Sequence, residues 1–376
     1  VKSLGLLTVI PLIGACRLGF DAVPDDPADA AVDAPPTVLA CNTQPAFRLG
    51  STPRKVAATA WRDGYLVVTA DAAGKVRGSF YKFVAGTLVA DQQDVGLADG
   101  MSDVGSVGTL ALGDRMLLVV PHDSSTQLIT VDRALAPQPA EDHPSWLGGA
   151  ATAATNSAGQ VAFIAQHATS GEIGAFLVGG DPAPLVIAQA GEQAVSPSIM
   201  PAGANFLVVW DVVGPNHRIA RAELVAPVGG KLAVVHGATR LNTDDLFDAE
   251  NPRGAYLAGA DRYLTAWMKK TNGDEIWASL RKPDLTADGP DFLLGAQGNE
   301  PRVNAGSDDF LVAWKAADKL YATRVTTGGS TAIDVPTAGG TVTDWDVVTR
   351  AGQTALVWVE ADGGGAAMVK FDPLCH

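Results

Sequence analysis

One acidic cluster stands out: Asn242-Thr243-Asp244-Asp245-Leu246-Phe247-Asp248-Ala249-Glu250-Asn251. Oxygen-rich loops of this kind can coordinate calcium. The spacing is not that of an EF-hand loop, and no Gly supplies its sharp turn, so a solvated loop is the preferred reading. Six histidines, His122, His143, His167, His217, His236 and His376, are scattered without zinc-like spacing. Neither a Gly-x-Ser-x-Gly elbow, a His-Glu-x-x-His helix nor a phosphate loop occurs. No catalytic residue, metal site or cofactor is therefore expected. Eight tryptophans could stack on sugars, but Trp210, Trp267 and Trp314 fall at equivalent places in a repeat. Repetition is what packing between structural units predicts, so a core role is preferred for them.

The elements that would position these residues follow from composition. The 376 residues are 47% apolar, which excludes disorder for most of the chain. Gly (41) and Pro (23) favour short strands and tight turns over long helices. The net charge of −14 argues against a nucleic-acid partner, because phosphate neutralisation needs clustered Lys and Arg. A five-residue apolar block recurs seven times, beginning at Tyr65, Leu117, Val161, Phe206, Tyr263, Phe310 and Ala355. A Gly precedes each block closely, so each reads as a buried strand entered from a hairpin. Small-residue segments lie upstream, as at Lys55, Ser196, Asn251 and Glu300, and suit inner strands crowded about an axis. Third strands begin near Arg218, Glu275, Lys319 and Ala366, and weaker fourth strands near Pro184, Lys231 and Asp291.

Four strands in roughly 45 residues is the size of a propeller blade. The middle and late repeats resemble a family of bacterial secreted "FLVxW"-type repeats, seen at Glu275-Ile-Trp277 and Lys319-Leu-Tyr321, with Trp267 and Trp314 closing the second strand. In the first three repeats Thr69, Pro121 and Ala165 stand where that pattern has Trp. The resemblance implies an all-β, seven-bladed β-propeller of four-stranded antiparallel blades over about residues 45–375, with no defined molecular activity. The last repeat runs out before a fourth strand. The segment 46–50 could supply it, closing the ring by pairing the two terminal strands. Loops between second and third strands line one face of such a fold. They make Asp211, Asn216, His217, Lys269, Asn272 and Asp274 the candidate ligand-face residues.

The amino-terminal segment reads differently. Lys2 precedes an apolar stretch from Leu4 to Ile13, and Ile13-Gly14-Ala15-Cys16 resembles a bacterial lipobox. That resemblance implies a cleaved lipoprotein signal peptide over 1–15 and a lipid on Cys16. Residues 16–40 are rich in Asp, Ala and Pro, and suit a disordered tether. The folded region then spans 41–376, and its only cysteines are Cys41 and Cys375. In an exported protein such a pair is most simply a disulfide, here one that would lock the two ends together. The expectation is a lipid-anchored protein of the cell envelope, at the outer membrane, serving as a binding or interaction module for a protein or glycan. A scaffold subunit of an envelope complex is the first alternative, and a carbohydrate-active enzyme (lyase or glycosidase) the second.

Overall fold

A computed structural model describes most residues between Pro53 and Pro373; the short gaps are 85–86, 102–103, 149–151, 215, 244–245, 272, 334, 336–339, 351–352 and 362–366. Every regular element among the described residues is a β-strand. All seven apolar blocks are second strands: Gly64–Asp71, Arg115–His122, Val161–His167, Asn205–Val213, Arg262–Lys270, Phe310–Ala316 and Gln353–Ala361. Each pairs antiparallel with the strand before it and the strand after it. The preceding strands are Pro53–Trp61, Gly108–Leu112, Ala153–Thr155, Val195–Ala202, Asp248–Leu257, Asn299–Ala305 and Thr341–Arg350.

Six of the resulting sheets contain four consecutive antiparallel strands; the last, Thr341–Pro373, contains three. The described residues thus form a β-propeller with six four-stranded blades, not the seven expected. In the last sheet the described strands end with Ala367–Pro373, and the segment 46–50 assigned to complete it lies outside the described residues. The third sheet gains an extra pairing, where Trp146–Leu147 joins the end of Val161–His167.

Side chains alternate along each second strand, and the alternation builds the core. Tyr65 and Val67 face one way, Leu66 and Val68 the other. In the fourth sheet Phe206, Val208 and Trp210 pack toward the third sheet, while Leu207 and Val209 pack toward the fifth. Each apolar cluster is therefore an interface between adjacent sheets, which explains why the blocks are apolar on both faces. One cluster joins Val348, Ala355, Val357 and Val359 of the last sheet to Val56, Tyr65, Val67 and Tyr81 of the first. Trp210, Trp267 and Trp314 are buried in these interfaces, as their repetition predicts. At the hairpins before the blocks, Gly159 and Gly203 adopt φ of 74° and 63°, a left-handed backbone that costs a non-Gly residue about 1 kcal/mol.

Candidate functional site: the central channel

Every first strand contributes to the wall of one cavity of about 350 Å³. The strands run side by side about the axis, so equivalent positions in the repeats form rings inside the channel. Much of the wall is small: Ala58, Ala60 and Gly254, as the segments at Lys55 and Asn251 predict, and also Gly108, Ala111 and Ala153 of the second and third sheets. The polar groups include Thr59, Thr109, Ser198, Asn304, Thr349, Arg253, Arg302 and Asp346. A second hollow of about 220 Å³ lies at the starting ends of the first strands, lined by Lys55, Ser106, Asn251, Glu300 and Asp344. Arg253 and Arg302 border both spaces, so the two guanidiniums form the waist of the channel.

Local sequence explains how these arginines arrive there. Asn251-Pro252-Arg253 and Glu300-Pro301-Arg302 are equivalent tripeptides, each at a register shift where its first strand bulges. The fourth sheet has Ser196-Pro197-Ser198 at the same shift. Ser196, Asn251 and Glu300 all have positive φ, at 56°, 52° and 49°. Proline disfavours the right-handed helical region for its predecessor and cannot donate to the ladder, so it breaks the pairing there. A bulge re-aims the side chain that follows it. Left-handed backbone at non-Gly residues persists only where the surrounding structure holds it, and such strain clusters at functional sites.

Arg302 is fully matched. Its guanidinium donates to Asp346 at 3.1 Å and to Asp344 at 3.3 Å, and lies 5.0 Å from the centre of the Trp345 ring. The same two carboxylates reach the other way. Asp344 accepts from the Val56 amide at 2.8 Å, and Asp346 from the Ala58 amide at 2.9 Å. They therefore tie the last sheet to the first strand of the first sheet. Burial raises the Asp344 pKa, partly opposed by Arg302 and the Val56 amide. Arg253 differs. One terminal nitrogen donates to the Pro252 carbonyl at 2.8 Å and to the Ser196 carbonyl at 3.2 Å. Among the described residues it makes no ion pair. Burial, and next the charge of Arg302, lower its pKa to about 10; Asp211 and Glu300 oppose this less strongly.

Most candidate ligand-face residues lie at the end of the propeller where the first strands begin, because Val195 pairs with Asp211 and Asp248 with Lys270. Asp211 is no loop residue: it sits in Asn205–Val213, 1% exposed, bonded to Arg218 at 2.9 Å. Burial raises its pKa to about 6, against the lowering effect of Arg218. Arg218 continues to Glu250, which pairs with Lys270 at 2.9 Å. His217 lies 3.9 Å from Asp248, whose carboxylate also accepts the Arg218 amide. Asp211, Arg218, Glu250 and Lys270 thus form an ion network brought together by the fold, with His217 beside it. Asn216 is in the intervening turn, and Asp274 opens the strand Asp274–Arg281. Lys269 instead points over aromatic rings, 4.3 Å from the centre of Trp277 and 4.9 Å from that of Phe247. It lines a separate hollow of about 200 Å³ with Trp267, Asn242 and Asp291. Asn272, Cys16, Cys41 and Cys375 lie outside the described residues, as do Asp244 and Asp245 of the acidic stretch. No group of His, Cys, Asp and Glu that could hold a metal occurs among the described residues.

Sequence reading did not single out Arg253, Arg302, Asp344 or Asp346. The available signal was the Pro-Arg pair recurring inside segments otherwise made of small residues.

No protein-family model matches the chain, and no curated protein does. Solved structures do. The WD40 domain of Toxoplasma gondii coronin superposes with a TM-score of 0.55 at 10% identity, covering 89% of this chain and 85% of that one. A β-propeller domain from Myceliophteria thermophila gives 0.55 at 10% identity, covering 88% and 99%. A polysaccharide lyase gives 0.55 at 8% identity, covering 93% and 95%. At such identities the likeness is one of fold alone, and proteins of different kinds share it.

Proposed function

We propose that this chain is an extracytoplasmic β-propeller, held at the cell envelope by a lipid on Cys16, that works as a binding or interaction module and receives its ligand in the central channel. The observation that carries this reading is the convergence of all seven first strands on one polar cavity of about 350 Å³. That volume is within the range of small-ligand sites, and the concave wall belongs to rigid sheets rather than loops. The ligand is a glycan unit or a protein side chain inserted from one face.

The binding test is a glycan array and partner capture with the full chain and with Thr59→Trp, which fills the cavity from its wall. Saturable binding lost in the filled variant supports the channel; binding that survives it places the ligand elsewhere. For the anchor, Cys16→Ala should move the protein from the membrane fraction to the soluble fraction. Retention on membranes would remove the lipid from this account.

The finer architecture belongs to the same proposal. The last sheet is a seventh blade, completed by residues 46–50 and locked by a Cys41–Cys375 disulfide. Support comes from the apolar cluster and the Asp344 and Asp346 contacts shared by the first and last sheets, which already bring those sheets together. Peptide mapping without reductant should recover Cys41 joined to Cys375.

A further inference from the structure

Two arginines at equivalent positions in consecutive repeats have opposite electrostatic settings. Arg302 has two carboxylates; Arg253 has two backbone carbonyls on one nitrogen and no carboxylate. Arg253 is part-exposed on the cavity wall, so its charge is left to solvent or to a ligand there. Both guanidiniums border the same cavity, and the donors beside them include the hydroxyls of Thr59 and Ser198 and the amide of Asn304.

We propose that Arg253 is an anion-binding residue, and that the channel takes a singly charged carboxylate on a ligand of monosaccharide size, for which a uronate is the simplest chemical form. This inference rests on the channel being the binding face. Three observations choose the ligand class. Arg302 already holds Asp344 and Asp346, whereas among the described residues no carboxylate lies within ion-pair distance of Arg253, so a ligand carboxylate meets an unshared guanidinium there. The planar guanidinium fork suits a carboxylate's two oxygens. The cavity of about 350 Å³ is at the lower end of ligand-site volumes, which suits one sugar-sized unit rather than a folded segment. The surrounding acid groups, Asp211 and Glu300, favour the charged form of Arg253 without pairing with it. In a chain of net charge −14, they also disfavour multiply charged anions.

The test is calorimetric titration of the full chain with sodium glucuronate and, separately, with glucose, in low and high sodium chloride. Glucuronate should bind and weaken as salt rises, while glucose should bind at least about tenfold more weakly. Arg253→Gln should weaken glucuronate binding at least about tenfold, and Arg253→Lys less, because it keeps the charge but loses the fork. If Arg253→Gln fails to fold, Thr59→Trp keeps Arg253 and must abolish glucuronate binding. Equal affinity for glucose and glucuronate, no glucuronate binding, or binding unchanged in Arg253→Gln overturns the anion proposal. Those results leave the channel itself standing if array binding is still lost in Thr59→Trp. Array binding that survives Thr59→Trp removes the channel as the binding face.

Discussion

Asp344 and Asp346 each accept a backbone amide from the first strand of the first sheet, and each takes one nitrogen of Arg302. A buried hydrogen bond to a charged group contributes about 1.5–3 kcal/mol, and removing one partner leaves the other unpaired. Asp344→Ala should therefore lower unfolding stability by about 3 kcal/mol. Asp344→Asn should cost less, because it keeps an acceptor for Val56 and removes the buried charge. Urea unfolding midpoints with a common slope would measure both. Titration at a second pair of groups sets a pH trend. Burial raises Asp211 to about 6 and Glu223 to about 7, so the folded state holds protons that the unfolded chain releases. Their contribution is greatest below about pH 4 and is lost as pH rises through 6 and 7. Unfolding midpoints should accordingly fall between about pH 5 and 7.5, and Asp211→Asn should make that fall shallower.

At the scale of the element, the hairpins before the apolar blocks set the register of each sheet. Gly203 turns with φ of 63° between the first and second strands of the fourth sheet, and nothing crowds its Cα. Gly203→Ala should cost only the left-handed backbone penalty, about 1 kcal/mol. Gly64 has a different constraint: a Cβ there would lie 1.8 Å from the Tyr81 carbonyl oxygen in the paired strand. Gly64→Ala must push the paired backbones away from each other, so its cost should exceed that of Gly203→Ala by at least about 2 kcal/mol. Thermal melts of the two variants side by side test that ordering. The strand bulges behave as elements too. By interrupting the ladder before Ser198, Arg253 and Arg302, they re-aim one residue in each of these three repeats toward the channel, where Arg302 also meets Asp344 and Asp346 of the last sheet.

For the whole molecule, closure of the ring is the property on which the rest depends. The first and last sheets share an apolar cluster of the same kind as every other pair of neighbours. A covalent Cys41–Cys375 link would add to that contact by restricting the unfolded chain, by up to about 5 kcal/mol in the chain-entropy model. Cys41→Ser should then lower the unfolding temperature, and reductant should lower that of the unaltered chain but not of the variant. Equal melting with and without reductant would remove the link. Much of this architecture was legible in the sequence. Seven blocks apolar on both faces, each behind a Gly, specify strands sandwiched between sheets, because only residues buried on both sides lose the polar alternation. Those blocks also placed Trp210, Trp267 and Trp314 in the core. The site was not legible in the same way. Arg253 and Arg302 look alike in sequence, and what separates them is whether carboxylates stand opposite. Those carboxylates come from Thr341–Arg350, and they also bind amides 288 positions away in the chain. Local periodicity records which residues a strand must bury. It carries no record of which charges meet across a channel, because that is settled only when the sheets pack around a common axis.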